Sequence, residues 1–166
     1  MTPRTLRAAF CTLTLTAVAG SALAAGTVTP RSISSLAAAS LAQKAVAACS
    51  ADGYIVSASV VDNAGVLLGF VRADGAGPHT VQASQAKAFT SASSRNPTSG
   101  IAKAIQSNPD AAGMAQIPGY LVLAGGVPIK LGNDTIGAIG VAGAPGGHLD
   151  EACAQKALAV VQNELQ

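Results

Sequence analysis

The run Y-I-V-S-A-S-V-V-D-N-A-G-V-L-L-G-F-V-R, residues 54–72, decides the fold. Tyr54 to Asp62 is rich in β-branched side chains and reads as a strand. Asn63-Ala64-Gly65 is a turn, and Val66 to Arg72 runs back as a second strand. A turn this short joins antiparallel strands only, because parallel pairing needs a long crossover. Arg72 and Asp74 close the hydrophobic run, and Gly75, Gly77 and Pro78 break the chain. Pro78 suits the first turn of a helix, where its missing N–H costs nothing. That helix is expected from about Pro78 to Ser93 and carries Lys87, Phe89 and Thr90.

The pattern extends outward from this hairpin. Upstream, Ser32 is a good N-cap for an Ala-rich helix over residues 33–50, with Leu36, Leu41, Val46 and Cys49 roughly on one face. Ala51-Asp52-Gly53 stops it, Gly53 serving as a left-handed cap. Downstream, Asn96-Pro97 ends one helix, and Thr98 caps another through about Ser107, where Asn108-Pro109 stops it. Residues 110–119 read as irregular. Tyr120 to Ala124 is a short apolar strand and Gly125-Gly126 a tight turn. Val127 to Leu131 and Thr135 to Ala142 are two more strands, joined by a second hairpin turn at Gly132-Asn133-Asp134. The glycines of the last strand imply that a helix backbone or a ligand approaches it closely. After a loop over 143–147, Asp150 and Glu151 fall in the first turn of a final helix reaching about Leu165, where acids meet the positive end of the dipole. The order α-β-β-α-α-β-β-β-α is that of an α/β domain of α+β type, with a five-stranded, mainly antiparallel sheet flanked by helices.

The 166 residues suit one domain. Residues 1–25 have the layout of a secretory signal peptide: Arg4 and Arg7, then an apolar run from Ala8 to Ala19, then an Ala22-Leu23-Ala24 cleavage site. Cleavage after Ala24 or Ala25 leaves a single domain over 26–166, periplasmic or secreted. The apolar run is too short and too rich in Thr and Ala for a good membrane span, so none is expected in the mature chain. Removing Arg4 and Arg7 from the 10 basic residues leaves 8 against 8 acidic ones. With no net charge, no basic run and no aromatic ladder, nucleic-acid binding has no footprint. Export places Cys49 and Cys153 in a disulfide-permissive compartment. Both fall in predicted helices. Their spacing fits no zinc pattern, which leaves a structural disulfide or two buried thiols.

No complete catalytic constellation stands out. The glycines at 140, 143, 146 and 147 do not fit a dinucleotide fingerprint, and there is no G-x-S-x-G, H-E-x-x-H or P-loop. The chain has two histidines. His79 follows the Gly-Pro turn at a helix start, and His148 begins the last helix. An imidazole at a helix start is held neutral by the dipole, and neutral imidazole is a ready ligand for a metal or haem iron. The plainer reading of His79 is a surface residue in a first turn. Whether the two histidines converge is not readable from their spacing.

The segments V-D-N-A-G-V-L-L-G-F-V-R-A-D-G-A (61–76), K-A-F-T (87–90), G-G-V-P-I (125–129), G-A-I-G-V-A-G (137–143) and D-E-A-C-A (150–154) carry a resemblance. In this order they are similar to the GlcG/HbpS family of haem-binding and haem-degrading-type domains, over about residues 33–165. That family also resembles the haem-binding C-terminal domain of some corrinoid adenosyltransferases. The resemblance implies a small antiparallel sheet with flanking helices, homo-oligomers, and haem or another tetrapyrrole as ligand. A haem site is expected near His79; its iron ligand differs between members of the family, so His79 as the leading ligand and His148 as the second rest on imidazole chemistry and not on the resemblance. Phe89, Tyr120 and Ile129 would then offer apolar contacts, and Arg72 or Lys87 would meet the propionates. The plainer reading of Lys87 is a stem packed on the sheet with a solvated head. Three functions follow: an exported haem carrier, sensor partner or sink; a haem-degrading or small-metabolite enzyme using the same pocket; and an assembly module without a cofactor.

Overall fold

The computed structural model describes residue 26 and residues 28–162. The expected signal peptide lies outside the described residues. The elements are α1 (Ser35–Ala51), β1 (Ser57–Asp62), β2 (Leu67–Arg72), α2 (His79–Ser94), α3 (Thr98–Ser107), a 3-10 helix (Pro109–Gln116), β3 (Gly126–Leu131), β4 (Asp134–Ala142) and α4 (Gly147–Val161). The four strands form one antiparallel sheet in the order β2-β1-β4-β3.

The sheet has four strands where five were expected. Tyr120 to Ala124 is apolar enough for a strand, but its polar backbone groups bond to helix side chains instead. The Leu121 N–H donates to Thr90 Oγ1 at 2.8 Å, and the Leu123 carbonyl accepts from Thr98 Oγ1 at 2.8 Å. The segment is thus moored to the ends of α2 and α3 and has no ladder to join. Residues 109–116 form the 3-10 helix rather than irregular chain. Asn108 caps it by accepting from the Asp110 N–H, and Pro109 stands in its first turn.

Alternation along the strands sorts the residues into two faces. On one face Ala58, Val60, Val127, Ile129, Ile139 and Val141 form a core with Ala38, Leu41, Ala42 and Ala45 of α1 and Ala154, Ala157 and Val161 of α4. The buried stripe of α1 therefore excludes Leu36, which is 83% exposed, and its cap is Ser34, not Ser32. Cys49 of α1 and Cys153 of α4 are joined by a disulfide across a sequence separation of 104 residues. On the opposite face Val61 and Ala138 pack on Ala88 and Ala92 of α2. Here Ser59, Gly140 and Gly126 lie side by side across β1, β4 and β3. A Cβ at Gly140 would stand 2.0 Å from the Ser84 carbonyl oxygen, and one at Gly126 would stand 2.4 Å from that of Lys87. The close approach expected at the glycines of β4 is thus to the backbone of α2.

Candidate functional site

Two helices, α3 and α4, line the largest cavity described. On α3, Ser99, Ala102, Lys103 and Gln106 recur at i, i+3, i+4 and i+7, which is one face of a helix. On α4, His148, Glu151, Ala152 and Gln155 recur at the same spacing. These two stripes, with Val122, Leu123, Ala124 and Gly147, line a space of about 610 Å³. That lies within the range of small-molecule sites. Its walls are apolar where Ala102, Val122, Leu123, Ala124 and Ala152 meet it. Lys103, Glu151 and His148 bring charge and the imidazole.

The start of α4 is held in place from two sides. Gly147 sits so close to Ala124 that a Cβ there would be 2.6 Å from its carbonyl oxygen. Glu151 accepts from Ser99 Oγ at 2.8 Å and from the Gly125 N–H at 3.4 Å, tying α4 to α3 beside the cavity. Asp150 points the other way. Its Oδ2 accepts from Lys87 Nζ at 2.7 Å, and its Oδ1 accepts from the Ala144 N–H at 2.9 Å. Lys87 Nζ also donates to the Val141 carbonyl at 2.9 Å. Both side chains are almost wholly buried, 1% and 4% exposed. Burial pushes the Asp150 carboxyl above its ordinary value, against the opposing pull of the Lys87 ammonium, the Ala144 N–H and His148.

The residues singled out from the sequence do not meet in one place. His148 lines the large cavity. His79 is exposed, with its ring beside Gly77, and lines none of the cavities described. Phe89 and Tyr120 do come together, edge to face at 6.1 Å between ring centres. Phe89 borders a separate 280 Å³ hollow, and Tyr120 another of 450 Å³. Ile129 belongs to the core beneath α1 and α4, fully buried. The Arg72 guanidinium donates to the Ala76 carbonyl and braces the turn before α2. The head of Lys87 is not solvated, because it is spent on Asp150 and Val141 inside the protein. A propionate at the surface does not reach it. Asp150 and Glu151 are more than first-turn acids: they hold α4 to α2 and to α3.

Sequence reasoning missed Ser99, Lys103, Val122, Glu151 and Gln155 as cavity residues. The matching i, i+3, i+4, i+7 stripes on α3 and α4 were a signal for them, but only if the two helices were known to face each other.

An antiparallel sheet between two helical layers, with a cavity carrying one imidazole on mostly apolar walls, defines an α+β domain with a small-molecule-sized cavity. The chain belongs to the family described as haem degrading protein HbpS-like, whose model matches residues 33–159. A crystal structure of a double mutant of HbpS from Streptomyces reticuli is 39% identical, with a TM-score of 0.78 over 88% of this chain and 98% of that one. Protein ORFY of Klebsiella pneumoniae is 27% identical, with a TM-score of 0.77 over 82% and 95%. A structure of the PduOC haem complex shares the fold at 21% identity, with a TM-score of 0.68 over 77% and 94%. No curated protein matches the chain.

Proposed function

We propose that this chain is an exported haem-binding protein, a carrier, sensor partner or sink, that takes haem or a related tetrapyrrole between α3 and α4. One observation carries the reading: His148 stands on the wall of the 610 Å³ cavity, next to apolar surface. The donor set fits the group. His148 would supply the iron ligand. Val122, Leu123, Ala124, Ala102 and Ala152 would cover the macrocycle. The Lys103 ammonium has no ion pair or hydrogen bond within the described residues and would meet a propionate. Membership of a haem-degrading family and the likeness of fold to a haem complex support the ligand class.

Export rests on Arg4, Arg7, the apolar run and Ala22-Leu23-Ala24, and a disulfide suits an oxidising compartment. No helix of the described residues is long and apolar enough to cross a membrane. Assembly with copies of itself is supported by β2, an edge strand that leaves Leu67 and Phe70 about 40% exposed.

A haemin titration followed at the Soret band tests the site. His148→Ala is expected to shift or abolish the band while His79→Ala leaves it unchanged, with circular dichroism showing both variants folded. Because iron takes the neutral imidazole, protons compete with it and wild-type binding should weaken in acid. Sensitivity to His79→Ala alone would move the ligand to α2. Loss of haem with product formation under reductant would make the protein a haem-degrading enzyme. No binding at all would leave the assembly module. Sequencing the N-terminus of exported protein tests cleavage, and a species retaining Met1 would refute it.

A further inference from the structure

Arg95 is the one non-glycine residue with positive φ within the described residues, at φ 59° and ψ 23°. A left-handed backbone is costly for a side chain with a Cβ. The turn is held by its neighbours: Ser91 Oγ donates to the Asn96 carbonyl at 2.9 Å, and Asn96 Nδ2 donates to the Ser94 carbonyl at 2.7 Å. This conformation sets Arg95 on the wall of a cavity of about 520 Å³ at the hairpin-turn end of the sheet. The facing walls are Arg31, Asn63 of the first hairpin turn, and Asn133, Asp134 and Thr135 of the second. Asn63 Nδ2 donates to the Arg31 carbonyl at 2.8 Å and anchors that wall. Arg31 lies 3.8 Å from Asp134, with both side chains about 60% exposed, so the pair is loose. The Arg95 guanidinium has no ion pair or hydrogen bond within the described residues.

Two guanidinium groups against one carboxylate give this space a positive balance, and most of its lining side chains are polar. A guanidinium offers a planar fork of donors that matches the paired oxygens of a phosphate or carboxylate. Asn133 and Thr135 add neutral donors. Only Pro30 and Ala92 bring apolar surface to these walls, too little to cover a tetrapyrrole, so the cavity is of a different kind from that beside His148. We propose that it binds a small oxyanion, a phosphoryl or carboxylate group, held chiefly by Arg95 with Arg31 as the second cation. Asp134 competes with the ligand for Arg31.

Calorimetric titration of the purified protein with inorganic phosphate, and separately with succinate, tests this at low ionic strength, where such contacts are least screened. One saturable event is expected, with amide shifts centred on residues 95 and 133–135. Arg95→Gln should weaken it about tenfold or more, the loss of one charge-assisted hydrogen bond. Asp134→Asn should tighten it, a change of opposite sign that general destabilisation does not produce. Arg95→Asn, better tolerated in the left-handed region, repeats the test if the Gln variant is not folded. Preference for phosphate assigns a phosphoryl ligand, and preference for succinate a carboxylate. No saturable binding of either anion, or equal binding by a folded Arg95 variant, overturns the site.

Discussion

The two faces of the sheet are built from different chemistry. Toward α1 and α4 the interface is Val, Ile, Leu and Ala, closed by a disulfide. Toward α2 it is narrow and largely polar. Ser57 meets Thr80 at 2.7 Å, Ser59 meets Ser84 at 2.8 Å, and Lys87 reaches past the edge of the sheet to Asp150. All of these are buried, and no buried side-chain polar atom of the described residues lacks a partner. The first face holds by area removed from water, which tolerates small shifts of packing. The second holds by hydrogen bonds made at short range, which do not tolerate loss of one partner. Glycines at 126 and 140 permit that range by letting the α2 backbone touch the strands. The polar face therefore specifies where α2 and the start of α4 sit, and with them the cavity wall carrying His148.

The largest single effect is expected at Lys87. Lys87→Ala leaves the Asp150 carboxylate buried without its cation, which costs about 3–5 kcal/mol. Urea unfolding measures it, and a loss below 1 kcal/mol, roughly the value of an exposed pair, would show that water enters the joint. Replacing both, Lys87→Met with Asp150→Leu, should recover most of the loss. The pH dependence has a definite sign. The folded-state pKa of Asp150 is raised above 3.8 by burial. Its stabilising contribution is therefore complete below that value and is lost as the pH rises through the folded-state pKa. Removing Lys87 takes away a lowering influence, so the Lys87→Ala defect should shrink in acid, where a protonated Asp150 needs no cation.

Cutting the disulfide tests the dry face. Cys49→Ser with Cys153→Ser frees a loop of about a hundred residues and should cost about 2–5 kcal/mol, up to roughly 4.7 by loop entropy alone. The core beneath stays apolar, so the reduced or substituted protein should remain folded but melt lower. Haemin affinity is the sharper readout. If α4 is seated by Asp150 and Glu151, the Soret titration should be nearly unchanged. A large loss would mean that the disulfide, and not the polar joint, positions the cavity.

What could be read in advance follows from this division. The hairpin turns at 63–65 and 132–134 are local signals, so the antiparallel pairing and four of the strands were legible, as were the breaks at Pro97 and Pro109. Tyr120 to Ala124 misled because its fate depends on Thr90 and Thr98, 31 and 25 residues away in sequence from the Leu121 and Leu123 they bind. Cys49 and Cys153 were legible as a possible pair, but their meeting depended on α1 and α4 sharing a face. Lys87 and Asp150 look like ordinary helical charges, and only the tertiary approach of α2 to α4 buries them. The same holds for the cavity: His148 was visible as a residue, while the opposing stripe of Ser99, Ala102, Lys103 and Gln106 acquires meaning only once α3 faces α4.

The smallest effect concerns the serine pairs between β1 and α2, and it asks whether the polar face needs all its contacts. Ser59→Ala removes the partner of Ser84 Oγ, but Ser84 retains the Val81 carbonyl at 3.0 Å as an acceptor. The cost should be about 1 kcal/mol, a typical net hydrogen bond, and not the larger penalty of an orphaned buried hydroxyl. Ser84→Ala leaves Ser59 of β1 without its partner on α2 and should cost somewhat more, about 1–3 kcal/mol. The double variant removes both hydroxyls, leaving two methyl side chains, and should be no worse than Ser84→Ala alone, giving a coupling energy of about 1 kcal/mol from the double-mutant cycle. Simple additivity of the two losses would mean that the serines act through separate neighbours. The contact would then be a consequence of the close approach at Gly140 and not one of its causes.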